Sequence, residues 1–181
     1  MKILKNFLFR RRYTSALKKR NYEQRFVTYD NAKTVFLLFE FDAEKYTSFI
    51  SIIKSLERDG KKVIAWAYCS VKAEKTLERE KFPKLNIFGK KSLNYSGKPQ
   101  TETLNELQKH SFDLLIDLSL QPLIPLMYTV LYAQAGCKTG IKKTDYSLFN
   151  FMIDINTSTN NDEQSVFNQI IFYLKSIQTT D

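Results

Sequence analysis

The chain has 181 residues, of which 43% are hydrophobic and 14% are aromatic. This length fits one ordinary domain, and this composition excludes a disordered chain, which would contain far fewer apolar residues. The formal net charge is +9 at pH 7, which disfavours a cationic partner.

The N-terminus does not have the pattern of a targeting signal. Its apolar stretch, residues 3–9, is interrupted by Lys5 and Asn6 and is followed by three consecutive arginines. A secretory signal would have an unbroken apolar core and small residues at its cleavage site. No apolar run approaches the roughly 18 residues that span a bilayer. We therefore predict a cytoplasmic protein.

Most of the charge is concentrated in an N-terminal arm, residues 1–28. Residues 1–25 contain nine basic side chains and a single acid, Glu23, which makes a net charge of +8. Residues 26–181 contain 19 basic and 18 acidic side chains, a net charge of +1. Clustered lysines and arginines attract phosphates and release counterions on binding. The arm therefore predicts a polyanionic partner, either nucleic acid or anionic lipid.

Helical geometry helps to choose between these two partners. If residues 2–24 form a helix, its apolar side chains fall on two opposite faces. These are Ile3, Leu4, Phe7 and Leu8 on one face, and Phe9, Tyr13, Ala16 and Leu17 on the other. A helix that lies in a membrane surface has one continuous apolar face instead. The pattern favours folded RNA, while membrane contact through the first nine residues and an apolar cap on the core stay open as alternatives.

After residue 33, strand-like apolar runs alternate with segments of helical spacing. Strands are predicted at residues 35–39, 62–68, 85–88, 112–118, 137–141 and 149–155, and helices at 46–56, 71–81, 103–110, 122–135 and 160–177. Asp42 is the predicted N-cap of the first of these helices, and Thr103 and Glu106 have capping-box spacing. The alternation predicts a single Rossmann-like α/β domain, residues 29–181, with a mainly parallel sheet and helices on both faces.

Ligands of such sheets gather beyond the C-terminal ends of the strands. These positions carry Glu40, Asp42, Cys69, Ser70, Gly89, Lys90, Lys91, Asp117, Ser119, Lys142 and Lys143. None of these turns resembles GxGxxG or the P-loop, whose glycines let backbone amides approach phosphate. The first strand ends in the acidic Glu40 and Asp42, where a dinucleotide needs room. We therefore predict no nucleotide cofactor.

Catalytic and metal chemistry lack the necessary partners in the sequence. Ser119, next to Asp117, would need an adjacent base to act as a nucleophile. The only histidine, His110, precedes the same strand and should lie at the opposite end of the sheet. One histidine and two separated cysteines, Cys69 and Cys137, do not form a zinc site. We predict a non-catalytic protein without a metal, with both cysteines buried as reduced thiols.

The polar loop at residues 90–99 has three lysines around Tyr95. Such a loop predicts a second phosphate or RNA contact with aromatic stacking, and a solvated connection is the alternative. The predicted nucleic-acid-binding residues are Arg10, Arg11, Arg12, Lys18, Lys19, Arg20, Lys90, Lys91 and Lys98.

The segments at residues 112–119 (FDLLIDLS), 94–99 (NYSGKP) and 151–155 (FMIDI), with the basic start, resemble an uncharacterised family of small cytoplasmic Bacteroidota proteins. This resemblance covers nearly the whole chain and implies a fold and a compartment, but no activity. More distantly, residues 112–119, the helix that follows and residues 137–141 resemble one half of two-domain glycosyltransferases of the heptosyl-transferring type. Those enzymes bind a sugar nucleotide between two halves, and this chain has room for one.

The sequence leads to three functional hypotheses. The first is a non-catalytic protein that associates with RNA or the ribosome, with the arm on phosphates and the α/β domain as a docking module. The second is a peripheral membrane or protein-interaction adaptor, anchored by Ile3, Leu4, Phe7 and Leu8. The third is an enzyme derived from a sugar-nucleotide transferase half, which requires a pocket at the strand ends.

Overall fold

The computed structural model of the chain describes residues 2–18, 27–154 and 162–177. Its strands are β1 (Thr34–Glu40), β2 (Lys62–Tyr68), β3 (Asn86–Phe88), β4 (Ser111–Asp117), β5 (Gln134–Ile141) and β6 (Phe151–Ile153). Its helices are α1 (Lys2–Lys18), α2 (Tyr46–Arg58), α3 (Val71–Glu74), α4 (Thr101–Gln108), α5 (Ile124–Tyr132) and α6 (Glu163–Ser176). Within these residues, none of the helices has the length and hydrophobicity that a bilayer crossing requires.

All six strands run parallel in one sheet, in the order β3-β2-β1-β4-β5-β6. The chain starts in the middle at β1, moves to one edge, and returns past β1 to build the other half. This order is that of a Rossmann-like fold and confirms the predicted class. The strand order reverses between β1 and β4, and the C-terminal ends of these two strands mark the usual ligand crevice of such sheets.

The two faces of the sheet bury different side chains of the same strands. On β1, Val35, Leu37 and Phe39 face the layer that contains α2 and α6. Phe36 and Leu38 face the opposite layer, which contains α1, α4 and α5. The side chains of successive strand residues point to opposite faces of the sheet. A strand that is covered on both faces therefore has a continuous apolar run in its sequence.

Two predictions near the start of the domain are wrong. The N-cap of α2 is Lys45, not Asp42, whose carboxylate instead accepts a hydrogen bond from the Glu44 N–H at 3.0 Å. The helix predicted over residues 71–81 is only the short α3, followed by a separate 3₁₀ turn at Arg79–Lys81. None of the residues of α3 or of the 3₁₀ turn is buried. Short helices without a buried face have only marginal stability in water.

Two predictions in the second half of the sheet are also wrong. Thr103 and Glu106 do not form a capping box, because α4 already begins at Thr101 with Gln100 as its N-cap. Helix α5 ends at Tyr132, so Ala135, predicted as its last apolar residue, belongs to β5 instead. There Ala135 pairs with Phe112 of β4. Pairing with a central strand has thus overridden the helical spacing.

Helix α1 is attached to the domain through an aromatic cluster of Phe9, Tyr13, Tyr128 and Tyr146. Phe9 is fully buried, and its ring centroid lies 4.8 Å from that of Tyr128 and 5.1 Å from that of Tyr146. The rings of Tyr13 and Tyr146 lie 5.0 Å apart, and the Tyr13 hydroxyl accepts a hydrogen bond from the Ser147 N–H at 2.9 Å. The face of α1 that carries Phe9 and Tyr13 is therefore the face that packs on the domain.

We expect Phe9→Ala to lower the free energy of unfolding by about 3–5 kcal/mol, because it leaves a cavity among buried rings. The matched control is Phe7→Ala, two residues earlier on the exposed side of α1, which should change it by less than about 0.5 kcal/mol. Urea denaturation followed by circular dichroism measures both values. Equal effects of the two substitutions would contradict the docking of α1.

Candidate nucleic-acid interface

The docking of α1 brings its basic side chains next to the loop at residues 90–99. Gly97 of this loop approaches both α1 and α5. A Cβ atom added to Gly97 would lie 3.1 Å from Cγ2 of Ile124 and 3.8 Å from Cδ of Lys5. The aliphatic part of Lys5 therefore lies against the loop, and α1, the loop and α5 form one continuous surface.

Lys98 extends this surface over Tyr132 of α5, and the charge of exposed Arg12 acts on the hydroxyl of Tyr128. The Nζ atom of Lys98 lies 4.8 Å from the centroid of the Tyr132 ring, which is a cation–π contact. Burial raises the pKa of the Tyr128 hydroxyl, and the nearby charge of Arg12 acts in the opposite direction. Tyr95 also lies close enough to affect this hydroxyl. We refer to Lys5, Arg12, Tyr95, Lys98 and Tyr132 as the basic surface.

Three chain segments without acidic residues build the basic surface: residues 2–18, 90–101 and 118–144. In the part of the chain that the structure describes, the ion pairs are Lys45–Glu163, Lys81–Glu78, Lys84–Glu57, Lys109–Glu106, Lys143–Asp117 and Lys175–Asp59. None of these described pairs includes a cation of the basic surface. The described carboxylates therefore form no contact ion pair with Lys5, Arg12 or Lys98.

The opposite side of α1 has a different chemistry. Ile3, Leu4 and Phe7 point away from the domain, with exposed fractions of 85%, 56% and 62%. Arg10 and Arg11 follow them within one to two turns and are also exposed. This side therefore combines an apolar tip with adjacent cations, while Leu8, the fourth residue of the predicted apolar group, is half-buried.

At the C-terminal ends of β4 and β5, Asp117, Ser119 and Lys143 form a buried network. Oδ1 of Asp117 accepts hydrogen bonds from the Ser119 N–H at 2.9 Å and from the Ser119 hydroxyl at 2.6 Å. The Lys143 ammonium donates to Oδ2 of Asp117 at 2.7 Å, and to the Ser119 hydroxyl and carbonyl oxygens at 2.7 and 2.6 Å. These three bonds use every N–H of Lys143, so none is left for a ligand.

The sequence placed all three residues of this network at strand ends but did not connect them. The missing information was that β4 and β5 are neighbours in the sheet, which brings the residues after each strand together. His110 directly precedes β4 and so lies at the opposite end of that strand from Ser119, as predicted. Ser119 therefore has Asp117 and Lys143 as its partners instead of a histidine.

A cleft of about 970 Å³ opens at the C-terminal ends of β1 and β2. Its charged lining residues are Glu40, Asp42, Glu44, Glu78 and Glu163, with Lys45, Lys72, Lys75 and Lys81. Buried Glu163 binds the Lys45 ammonium through both carboxylate oxygens, at 2.9 and 3.0 Å. Burial, and then the charge of Glu163, raises the pKa of Glu40. The lining therefore combines five carboxylates with four lysines.

Both cysteines are buried as free thiols, as predicted. Burial raises the pKa of Cys137 to about 11, and it also raises the pKa of Cys69. A thiol becomes a nucleophile only as the thiolate, so neither side chain has the properties of a reactive cysteine.

Comparison with known protein families shows to which family the chain belongs. A family model described as a family of unknown function, DUF6913, matches residues 5–177. This chain belongs to the DUF6913 family. The match agrees with the resemblance to an uncharacterised family seen in the sequence, and it assigns no activity. A comparison with curated proteins found no match.

The matched DUF6913 region contains α1 from residue 5 onward together with the whole sheet, so the docked helix lies inside the family domain. Of the predicted binding residues, Lys98 lies over Tyr132, and Arg12 is exposed on α1, where its charge acts on the Tyr128 hydroxyl. Arg10 and Arg11 lie on the outer side of α1. Lys90 and Lys91 are exposed at the start of the loop, where the Lys90 N–H donates to Glu74.

The remaining predicted residues, Lys19 and Arg20, lie outside the described residues, as does the side chain of Lys18. Two members of the basic surface, Lys5 and Tyr132, were not predicted. Their role depends on α1 packing beside the loop and on α5 presenting its tyrosines there, and neither arrangement has a local signal in the sequence.

We expect Lys143→Ala to lower the free energy of unfolding of this DUF6913 protein by about 3 kcal/mol, because it leaves the Asp117 carboxylate buried without its countercharge. Lys142→Ala removes an exposed neighbour of the same type and should change it by less than about 0.5 kcal/mol. Urea denaturation of both variants measures the difference. Similar values for the two would contradict a structural role for the network.

Proposed function

We propose that this protein is a non-catalytic RNA-binding protein and that RNA contacts the basic surface. The observation that carries the proposal is the docking of α1, which puts Lys5 against the loop that contains Lys98. Arg12 is exposed on the same helix, and all three cations belong to segments free of acidic residues. Cations grouped in this way attract phosphates and release their counterions on binding. The α/β domain provides the rigid support that holds α1 and the loop at residues 90–99 in fixed positions relative to each other.

The aromatic members of the basic surface favour RNA over lipid as the partner on this side. Tyr95 projects from a polar loop, between Asn94 and Ser96, which has no apolar residue beside it to enter a bilayer. RNA supplies both phosphates for the cations and planar bases for the tyrosine ring. Ribosomal RNA offers the same chemistry, so the ribosome belongs to this proposal.

We also propose a cytoplasmic location, where such RNA partners occur. The supporting observation is that Cys69 and Cys137 are both free thiols in the buried core. Reducing compartments keep cysteines in this state, whereas secreted proteins commonly form disulfides.

The first test of RNA binding reverses two charges of the basic surface. Arg12→Glu combined with Lys98→Glu should weaken binding at least about tenfold and flatten its salt dependence, because each lost phosphate contact reduces the salt slope. Fluorescence anisotropy with a labelled single-stranded RNA, recorded over a range of salt concentrations, measures both effects. Deletion of residues 1–25 is less informative, because it also removes Phe9 from the core.

The matched control is Lys54→Glu combined with Arg58→Glu, which makes the same change in net charge. Both side chains are exposed on α2, which packs on the other face of the sheet. This control should retain most of the affinity for RNA. An equal loss in both double variants would show that binding follows net charge alone. Absence of salt-sensitive binding in the unmodified protein would end the proposal.

A second candidate function is attachment to an anionic membrane, and one observation favours it. Ile3, Leu4 and Phe7 are exposed on the outer side of α1, with Arg10 and Arg11 close behind them. An apolar tip flanked by cations suits the boundary between lipid headgroups and acyl chains, where anionic lipids attract basic residues. The same patch would serve as a binding site for another protein if the adaptor binds a protein instead of a membrane.

Flotation with vesicles that contain phosphatidylserine tests this second candidate. If the patch binds lipid, Ile3→Ser combined with Phe7→Ser should abolish flotation, because both apolar contacts with the membrane are lost. The control, Phe172→Ser, removes an exposed phenylalanine from α6 on the other face of the sheet and should float normally. Failure of the unmodified protein to float, or flotation of the double variant, would rule out this anchor.

A further inference from the structure

We propose that the RNA bound at the basic surface is single-stranded and that Tyr95 stacks on one of its unpaired bases. This inference rests on the proposed RNA-binding function, since it names the form of RNA that the same surface takes. It assigns base stacking to Tyr95, whereas the proposed function depends on phosphate binding by the cations. An experiment can therefore disprove the stacking while RNA binding still stands.

The first observation is the position of the Tyr95 side chain. Tyrosine rings bury much of their surface in folded domains, with the hydroxyl at the edge. Tyr95 is instead 83% exposed, in the same loop as Lys98 of the basic surface. An aromatic ring in this position has both of its flat sides available to a planar ligand.

The second observation is that the loop tip is held by many hydrogen bonds. The side-chain oxygen of Asn94 accepts from the Ser96 N–H at 3.0 Å, the Ser96 hydroxyl at 2.7 Å and the Lys98 N–H at 3.1 Å. The Asn94 N–H donates to the Lys98 carbonyl at 2.9 Å. Gly97 has a φ of +81°, a left-handed conformation that glycine adopts without strain. Tyr95 thus sits inside a closed, strongly bonded turn.

The base of the loop is anchored as well. The Gln100 side-chain amide donates to the carbonyl oxygens of Lys91 at 3.1 Å and Leu93 at 3.4 Å, and the Gln100 N–H donates to Ser92 at 2.8 Å. Leu93 forms a β-bridge with Pro99 and packs against the core beneath α5. The backbone that carries Tyr95 is therefore ordered before any ligand arrives, which reduces the entropy that binding costs.

The surroundings of Tyr95 select a nucleic acid strand as the planar ligand. Lys98, three residues away, is held over Tyr132, and Lys5 lies against Gly97 of the same turn. A base on the Tyr95 ring would place its own phosphates within reach of these cations. Tyr132 is half-buried and has one side covered by Lys98, so Tyr95 is the ring with a free flat side.

A stacking ring also discriminates between forms of RNA. In a duplex the bases are stacked on each other inside the helix and present only their edges in the grooves. In a single strand every base has a free flat side, and stacking on a protein ring tolerates any base sequence. Duplex RNA would therefore use the cations of the basic surface but not Tyr95.

The test compares Tyr95→Ala with the unmodified protein on two labelled RNAs, a single strand of about 12 nucleotides and a blunt duplex of the same length, a size within the range of single-strand sites. The substitution should weaken binding of the single strand about tenfold, the effect of one lost base–aromatic stack. Binding of the duplex should stay unchanged. Tyr95→Phe keeps the ring and should retain the affinity for the single strand.

Two further variants complete the design. Tyr173→Ala removes an exposed tyrosine from α6 and should leave both affinities unchanged. Tyr95→Trp introduces an exposed indole, and single-stranded RNA should quench its fluorescence while the duplex does not. This spectroscopic signal reports stacking directly, since the native tryptophan, Trp66, is buried.

The results separate the two proposals. If Tyr95→Ala weakens binding of neither RNA, or of both equally, or if the indole of Tyr95→Trp is not quenched by the single strand, the stacking inference is wrong while salt-sensitive RNA binding still stands. If the unmodified protein binds neither RNA, both proposals are wrong. A selective loss with the single strand, retained by Tyr95→Phe, would establish Tyr95 as the residue that contacts an unpaired base.

Discussion

The burial of Phe9 against Tyr128 and Tyr146 is the contact on which the surface chemistry of the molecule depends. Residues of a helix are separated by 100° around its axis, so one inward side chain sets the direction of all the others. With Phe9 inward, Lys5 lies against the loop while Phe7 faces solvent. This aromatic contact thus gives α1 two chemically distinct sides, one that packs on the domain and one that is exposed to solvent.

At the C-terminal ends of the strands, lysines lie among carboxylates, unlike the cations of the basic surface. The C-terminal ends of β1 and β2 carry carboxylates such as Glu40 and Glu163, and the ends of β4 and β5 are filled by the Lys143 network. Among the described residues, the cations of the basic surface belong to none of the ion pairs. Clustered cations of this kind attract a polyanion. The residues at these strand ends and those of the basic surface therefore differ in electrostatic character.

The fold was largely predictable from the sequence, and the candidate interface only in part. Strands β1, β2 and β4 were predicted within a residue of their ends, because burial on both faces produces an unbroken apolar run. The helix predicted at residues 71–81 lacks a buried face to stabilise it, and at residue 135 strand pairing overrode the helical spacing. Charge density identified Arg12 and Lys98 separately, but the docking of α1 depends on contacts between distant positions of the chain, such as Tyr13 with Ser147. No local pattern contains that information.

The two edge strands of the sheet have a consequence for the behaviour of the protein in concentrated solution. Both β3 and β6 are only three residues long, whereas each of the four strands between them has seven or eight residues. Exposed sheet edges are templates for pairing between chains, and very short edge strands are one way in which proteins suppress it. The short edge strands of this sheet thereby reduce pairing between the sheets of different molecules, and the positive net charge adds repulsion between them.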